Sequence, residues 1–290
     1  MARIVDLVGN TPMAELTKLN PNPAVTIYAK LEGNNPGGSV KDRPALNMIR
    51  SALERGEIKP GDKLIEATSG NTGIALAMIA RLYNLDIELV MPSTSTRERT
   101  LTMEAFGAKV TLLDTIEVCR DYADEKAAKG EAHILNQFAN PDNYLAHYKT
   151  TGPEIWRDTN QSITHFVSSM GTTGTIMGCS RYFKELDPAI QIVGCQPTEE
   201  SSIPGIRRWP TEYLPKIFEP ERVDRVIDVS QQEATAMARL LAKDEAIFAG
   251  MSSGGAAAAA IRLASELEKG VIVFIACDRG DRYLSSDLFG

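Results

Sequence analysis

The sequence predicts an α/β protein of two lobes, each a mainly parallel sheet covered by helices. Short β-branched runs alternate with longer segments of helical periodicity over much of the chain. Turns rich in Gly, Ser, Thr and Asn fall where such a run ends and the next helix begins, which is where parallel strands need a crossover. The length, 290 residues, exceeds the range that one hydrophobic core usually serves, so two cores are expected.

The first series is strand 63–67 followed by helix 73–83, strand 87–91 by helix 96–106, and strand 109–113 by helix 116–129. The second runs through strand 165–168, helix 175–186, strands 190–195 and 223–229, helices 232–244 and 255–269, and strand 271–277. Alanines 256–260 belong to the last helix as strong helix formers. The turn cluster Asn140-Pro141-Asp142-Asn143 and the loop from Gly33 to Gly38 interrupt periodicity and are read as lobe crossings. A smaller, mobile lobe of residues 36–144 is therefore expected beside a larger one of 1–35 and 145–290.

Composition excludes several classes. Hydrophobic content of 43% and charged content of 24% argue against long disorder and against a coiled coil. A net charge of −7 gives no general basic field, so nucleic acid and anionic membranes are not expected partners. The longest apolar run, 271–277, is too short to cross a bilayer, and the start Met1-Ala2-Arg3-Ile4-Val5-Asp6 lacks the apolar core of a signal peptide, so a cytoplasmic protein is expected. Cys119, Cys179, Cys195 and Cys277 are scattered without a C-x-x-C pair, and His133, His147 and His165 show no ligand spacing. The reading is reduced thiols, structural histidines and no metal.

Four turns carry chemistry. Lys41 follows the turn-rich, nearly uncharged stretch Asn34-Asn35-Pro36-Gly37-Gly38-Ser39-Val40. Burial at the start of a helix favours the neutral amine, which can attack a carbonyl and later serve as a base, so Lys41 is read as a Schiff-base lysine rather than a surface charge. Gly171-Thr172-Thr173-Gly174-Thr175 leads from a strand into a helix and offers backbone N–H groups and hydroxyls where the helix dipole is positive, as a phosphate cup does. It lacks the lysine of a P-loop and the G-x-G-x-x-G of a dinucleotide site; helix capping by the threonines is the competing reading. Thr68-Ser69-Gly70-Asn71-Thr72-Gly73 is a second such junction, suited to a carboxylate, with Asn71 adding an amide donor. The third, Gly250-Met251-Ser252-Ser253-Gly254-Gly255, would ordinarily supply an N-cap, yet a serine hydroxyl facing a pyridine nitrogen would leave the ring neutral and favour elimination over transamination.

Read in order with Gly9-Asn10-Thr11-Pro12, Lys30-Leu31-Glu32-Gly33-Asn34-Asn35-Pro36 and Ser39-Val40-Lys41-Asp42-Arg43, this set closely resembles the fold type II pyridoxal-phosphate β-family, and within it the O-acetylserine sulfhydrylases, over nearly the whole chain. The segment Ser201-Ser202-Ile203-Pro204-Gly205-Ile206-Arg207-Arg208-Trp209-Pro210 looks like the B-type branch rather than the A-type. The resemblance implies that Lys41 holds pyridoxal 5′-phosphate as a Schiff base, that Asn71 meets the ring oxygen, that Gly171, Thr172, Thr173, Gly174 and Thr175 hold the phosphate within the larger lobe, and that Ser252 faces the pyridine nitrogen. Thr68, Ser69, Thr72 and Gln137 are carried over as substrate contacts.

The activity implied is synthesis of L-cysteine from O-acetylserine and sulfide through an aminoacrylate, in a homodimer. Arg207 and Arg208 are candidate substrate contacts that would also admit thiosulfate, since guanidinium forks match oxyanions, although a solvated arginine pair is the commoner case. A dehydratase or a cystathionine β-synthase-like enzyme is the nearest rival, and a non-catalytic phosphate-binding protein the rival from another class.

Overall fold

The computed structural model describes residues 1–68 and 70–290; Ser69, one of the expected substrate contacts, lies outside the described residues. In chain order the elements are β1 (Met13–Glu15), β2 (Val25–Leu31), α1 (Asp42–Glu54), β3 (Lys63–Ala67), α2 (Asn71–Leu82), β4 (Asp86–Pro92), α3 (Arg97–Ala105), β5 (Lys109–Leu113), α4 (Ile116–Ala128), α5 (Pro141–Lys149) and α6 (Thr151–Asp158). They continue with β6 (His165–Ser169), α7 (Gly174–Leu186), β7 (Gln191–Pro197), β8 (Arg225–Val229), α8 (Gln231–Glu245), α9 (Met251–Glu266) and β9 (Gly270–Ala276). Contacts divide them into a unit of Met1–Val8 with Lys41–Asn143 and a unit of Gly9–Val40 with Tyr144–Gly290.

The larger unit is built on six strands in the order β1-β2-β9-β6-β7-β8, in which only β1 runs antiparallel to its neighbour. β9 has partners on both sides, and its run Ile272, Val273, Phe274, Ile275 is fully buried, as a strand covered on both faces requires. The two-residue period assigns the faces. Ile272 and Phe274 join Ala256, Ala257, Ala260, Leu263 and Ala264 of α9, while Val273 and Ile275 join Ile155, Phe166, Ile176 and Phe183. The alanine face of α9 lets α8 approach so closely that a side chain at Gly254 would meet the Ala234 carbonyl oxygen at 2.1 Å.

The smaller unit holds three parallel strands, β3-β4-β5. Leu64 of β3 packs with Ala45, Met48, Ile49 and Ala52 of α1 and with the apolar residues of α2, whereas Ile65 and Ala67 face Cys119 and Ala123 of α4. Both sheets bear out the expected fold class, and strands 63–67 and 109–113 have the predicted bounds.

One boundary differs in a way that matters. α9 begins at Met251 with Gly250 as its N-cap, so Ser252 and Ser253 lie inside the first turn and neither is the cap. Ser253 Oγ instead accepts the Cys277 N–H at 2.8 Å. Among the described residues no helix is long and apolar enough to cross a membrane, and no group of His, Cys, Asp and Glu is placed to hold a metal. Cys119, Cys179, Cys195 and Cys277 are not in disulfides.

Candidate active site

In the larger unit, β6 ends at Ser169 and the chain turns through Met170, Gly171 and Thr172 into α7. Thr173 is the N-cap of that helix and has φ +69° and ψ −2°, a left-handed conformation that β-branched residues rarely adopt. Its hydroxyl is buried without a hydrogen-bond partner, although an unsatisfied buried hydroxyl is costly. Thr172 Oγ1 accepts the Gly174 N–H at 3.5 Å, and Thr175 Oγ1 lies 3.3 Å from His147 Nε2, whose Nδ1 is 2.8 Å from Thr151 Oγ1. A strained turn, the start of a helix and a buried unpaired hydroxyl together can take a small anion.

The segment 201–209 is fastened to this turn. Arg207 donates its main-chain N–H to the Met170 carbonyl at 2.9 Å, and Trp209 Nε1 donates to the Gly171 carbonyl at 2.7 Å. Gly205, at φ +87°, sits so close that a Cβ on Gly171 would be 2.7 Å from its carbonyl oxygen. A Cβ on Gly205 would in turn be 3.4 Å from Ser252 Cβ. Ser252 is buried; its carbonyl accepts from Ser169 Oγ at 2.7 Å, and its hydroxyl has no partner among the described residues. Gly171 to Thr175 and Ser252 are therefore brought together through Gly205 and Ser169.

The two arginines separate. Arg208 is committed to an ion pair with Asp228 and donates from Nε to the Pro197 carbonyl at 2.9 Å. Arg207 lines a cavity of about 220 Å³ together with Met170, Thr173, Trp209, Leu214 and Phe218.

In the smaller unit, Lys41 is half-buried at the N-cap of α1 and its carbonyl accepts the Ala45 N–H at 3.0 Å. The β3–α2 junction is organised by Thr68, whose Oγ1 accepts the N–H groups of Gly70 at 3.3 Å and Gly73 at 3.2 Å, the duty that the N-cap Gly70 has no side chain to perform. Gly73 must be glycine, because a Cβ there would be 2.5 Å from Thr68 Cγ2. Asn71 and Thr72 open α2, and Thr72 Oγ1 donates to Gln137 Oε1 at 2.9 Å. Thr68, Asn71, Thr72 and Gln137 thus share one corner, with Gln137 contributed from 65 residues further along the chain.

Glu66, Gly205, His147 and Trp209 escape the sequence reading. Glu66 and His147 lack a spacing that marks them, whereas Gly205 and Trp209 stand in the quoted 201–210 segment without being singled out.

Residues 4–278 match the family model described as "Pyridoxal-phosphate dependent enzyme". The chain is 60% identical to the cysteine synthase B of Pseudomonas aeruginosa over 99% of its own length and 97% of that protein. Its backbone superposes on the crystal structure of a cysteine synthase from Entamoeba histolytica with a TM-score of 0.94 at 36% identity, covering 100% of this chain and 90% of that one. It also resembles an O-acetylserine dependent cystathionine β-synthase from Helicobacter pylori, with a TM-score of 0.92 at 36% identity over 100% of this chain and 99% of that one. Fold, family model and full-length identity agree, and the chain belongs to the pyridoxal-phosphate dependent enzymes, in the cysteine synthase B branch.

Proposed function

We propose that the protein makes L-cysteine from O-acetyl-L-serine and sulfide by pyridoxal-phosphate-dependent β-replacement. The observation that carries the cofactor's place is the buried, unpartnered Thr173 hydroxyl at the start of α7, which fits a phosphate oxygen as acceptor. Gly171, Thr172, Gly174 and Thr175 complete that holder, with His147 fixing the Thr175 hydroxyl. Ser252 Oγ fits a pyridine nitrogen, and Asn71 the phenolic oxygen. Bound pyridoxal phosphate supplies an electron sink for the substrate's Cα electron pair.

The remaining work falls to protein groups. Lys41 would hold the cofactor through its ε-nitrogen, and its amine, once free, would take the substrate's Cα proton. Thr68, Ser69, Thr72 and Gln137 bind the substrate carboxylate and set the Cα–H bond toward that amine. In the exchange of acetate for sulfide at Cβ, Lys41 would return the proton to Cα. A neutral serine opposite the ring nitrogen keeps the sink mild, which favours loss of the β-group over transamination.

Arg207, beside Thr173 in the 220 Å³ cavity, supports use of thiosulfate as a second donor giving S-sulfocysteine; Arg208, paired with Asp228, is the weaker candidate of the two. A homodimer, a cytoplasmic location and a small lobe (36–144) that moves on substrate binding and shelters the reaction from water, with the cofactor-binding lobe formed by 1–35 and 145–290, belong to the same proposal. The test is product analysis. O-acetylserine with sulfide should yield cysteine; pyruvate from serine without cysteine formation would favour a dehydratase, and a thioether with homocysteine a cystathionine β-synthase-like enzyme.

A further inference from the structure

We infer that Glu66 is a positioning residue for substrate binding, holding the loop that carries Gln137 in the one turn that aims its amide at the substrate. Glu66 is the penultimate residue of β3, just before the Thr68 junction, and is 5% exposed. Its Oε2 accepts the Asn136 N–H at 3.3 Å and its Oε1 the Gln137 N–H at 3.4 Å. Asn136 has φ +55°, and the two successive N–H groups face one carboxylate, an anion-binding concavity filled here by a side chain of the protein itself.

Every other group of Gln137 has a directed use. Its carbonyl accepts from Asn143 Nδ2 at 2.7 Å, and its Oε1 accepts from Thr72 Oγ1 at 2.9 Å. Among the described residues none accepts from Nε2, which leaves that donor for a substrate oxygen. Burial is the main influence on the Glu66 carboxyl and raises it to about 7, the N–H groups of Gln137, Asn136 and Leu135 oppose this, and Asp124 of α4 adds to it. At pH 8 the carboxylate is the prevailing form.

This inference rests on Gln137 contacting substrate, and the experiment separates the two. Glu66→Gln, Gln137→Ala and the double variant are assayed as holoenzymes at pH 8. The expected result is a roughly tenfold rise in KM for O-acetylserine in each single variant, with kcat and the bound-cofactor absorbance near parental values. The double variant should be no worse than Gln137→Ala alone, because the two residues act through one contact. A raised KM in Gln137→Ala with none in Glu66→Gln overturns the role of Glu66 while the Gln137 contact stands. No change in Gln137→Ala overturns the contact itself. Glu66→Asp, with hydrogen exchange measured over residues 134–140, serves if the amide variant does not fold: faster exchange confined to that segment is expected, and parental protection there would overturn the inference.

Discussion

Replacing Thr173 by valine should push two properties of the protein in opposite directions. Valine keeps the β-branched shape, so the strain of a left-handed residue at φ +69° is unchanged and only the hydroxyl is exchanged for a methyl. That hydroxyl is buried and unpartnered, in a residue that is 4% exposed. Removing an unsatisfied buried polar group should stabilise the cofactor-free protein by about 1–2 kcal/mol, a rise in Tm of roughly 2–8 °C for a chain of this size. With pyridoxal phosphate present, the same change deletes one hydrogen bond to a charged acceptor, about 1.5–3 kcal/mol, which is roughly a ten- to hundredfold loss of affinity. The assay is a melting curve of the stripped protein beside a cofactor titration followed by absorbance. Unaltered affinity in Thr173→Val, or stripped protein that melts several degrees below the parent, would refute the assignment of this hydroxyl to the phosphate.

Gly171→Ala places a methyl group 2.7 Å from the Gly205 carbonyl oxygen, and the Trp209 and Arg207 hydrogen bonds keep the two segments from parting. A destabilisation of about 1–3 kcal/mol with weakened cofactor binding is expected from denaturant titration with and without pyridoxal phosphate. Glu66 gives a pH signature. Its folded carboxyl titrates near 7, above the unfolded value of 4.5, so between these pH values the native state holds the extra proton and stability falls as pH rises. Over that window Glu66→Gln should gain roughly 3 kcal/mol relative to the parent in parallel denaturant titrations, and a constant difference would count against the buried carboxyl. Glu88 acts oppositely: burial works to raise its carboxyl, but bonds from Lys63, Lys109 and Thr111 outweigh it and hold it at about 2. That stabilisation is present above the unfolded value near 4.5 and is lost as pH falls toward 2, so Glu88→Gln should flatten the acid limb of the stability profile.

The parts of the fold legible in the sequence are those where one local signal suffices. β9 reads as a strand because the apolar run 271–277 is unbroken, and the β3, β4 and β5 runs are each bounded by turn residues. β2 is harder to see because Lys30 interrupts it. That lysine is wholly buried, bonded to the Thr11 carbonyl at 2.6 Å and paired with Glu154 at 2.9 Å, a partner more than a hundred residues away. Nothing local groups Met1–Val8 with the smaller unit, where Val5 joins the core around α1 and α2. At the site, the strand–turn–helix order around Thr173 is visible, but its left-handed backbone is not, since propensity argues against threonine there. Ser252 looks like a cap until Gly250 is seen to take that place, and Arg207 and Arg208 become distinct only once Asp228 claims one of them.

The most direct test of the central claim is borohydride reduction of the purified protein followed by peptide mapping. The expected result is loss of the visible absorbance with a phosphopyridoxyl group fixed on Lys41 and on no other lysine. A label on a different lysine, or none at all on a coloured preparation, would contradict it.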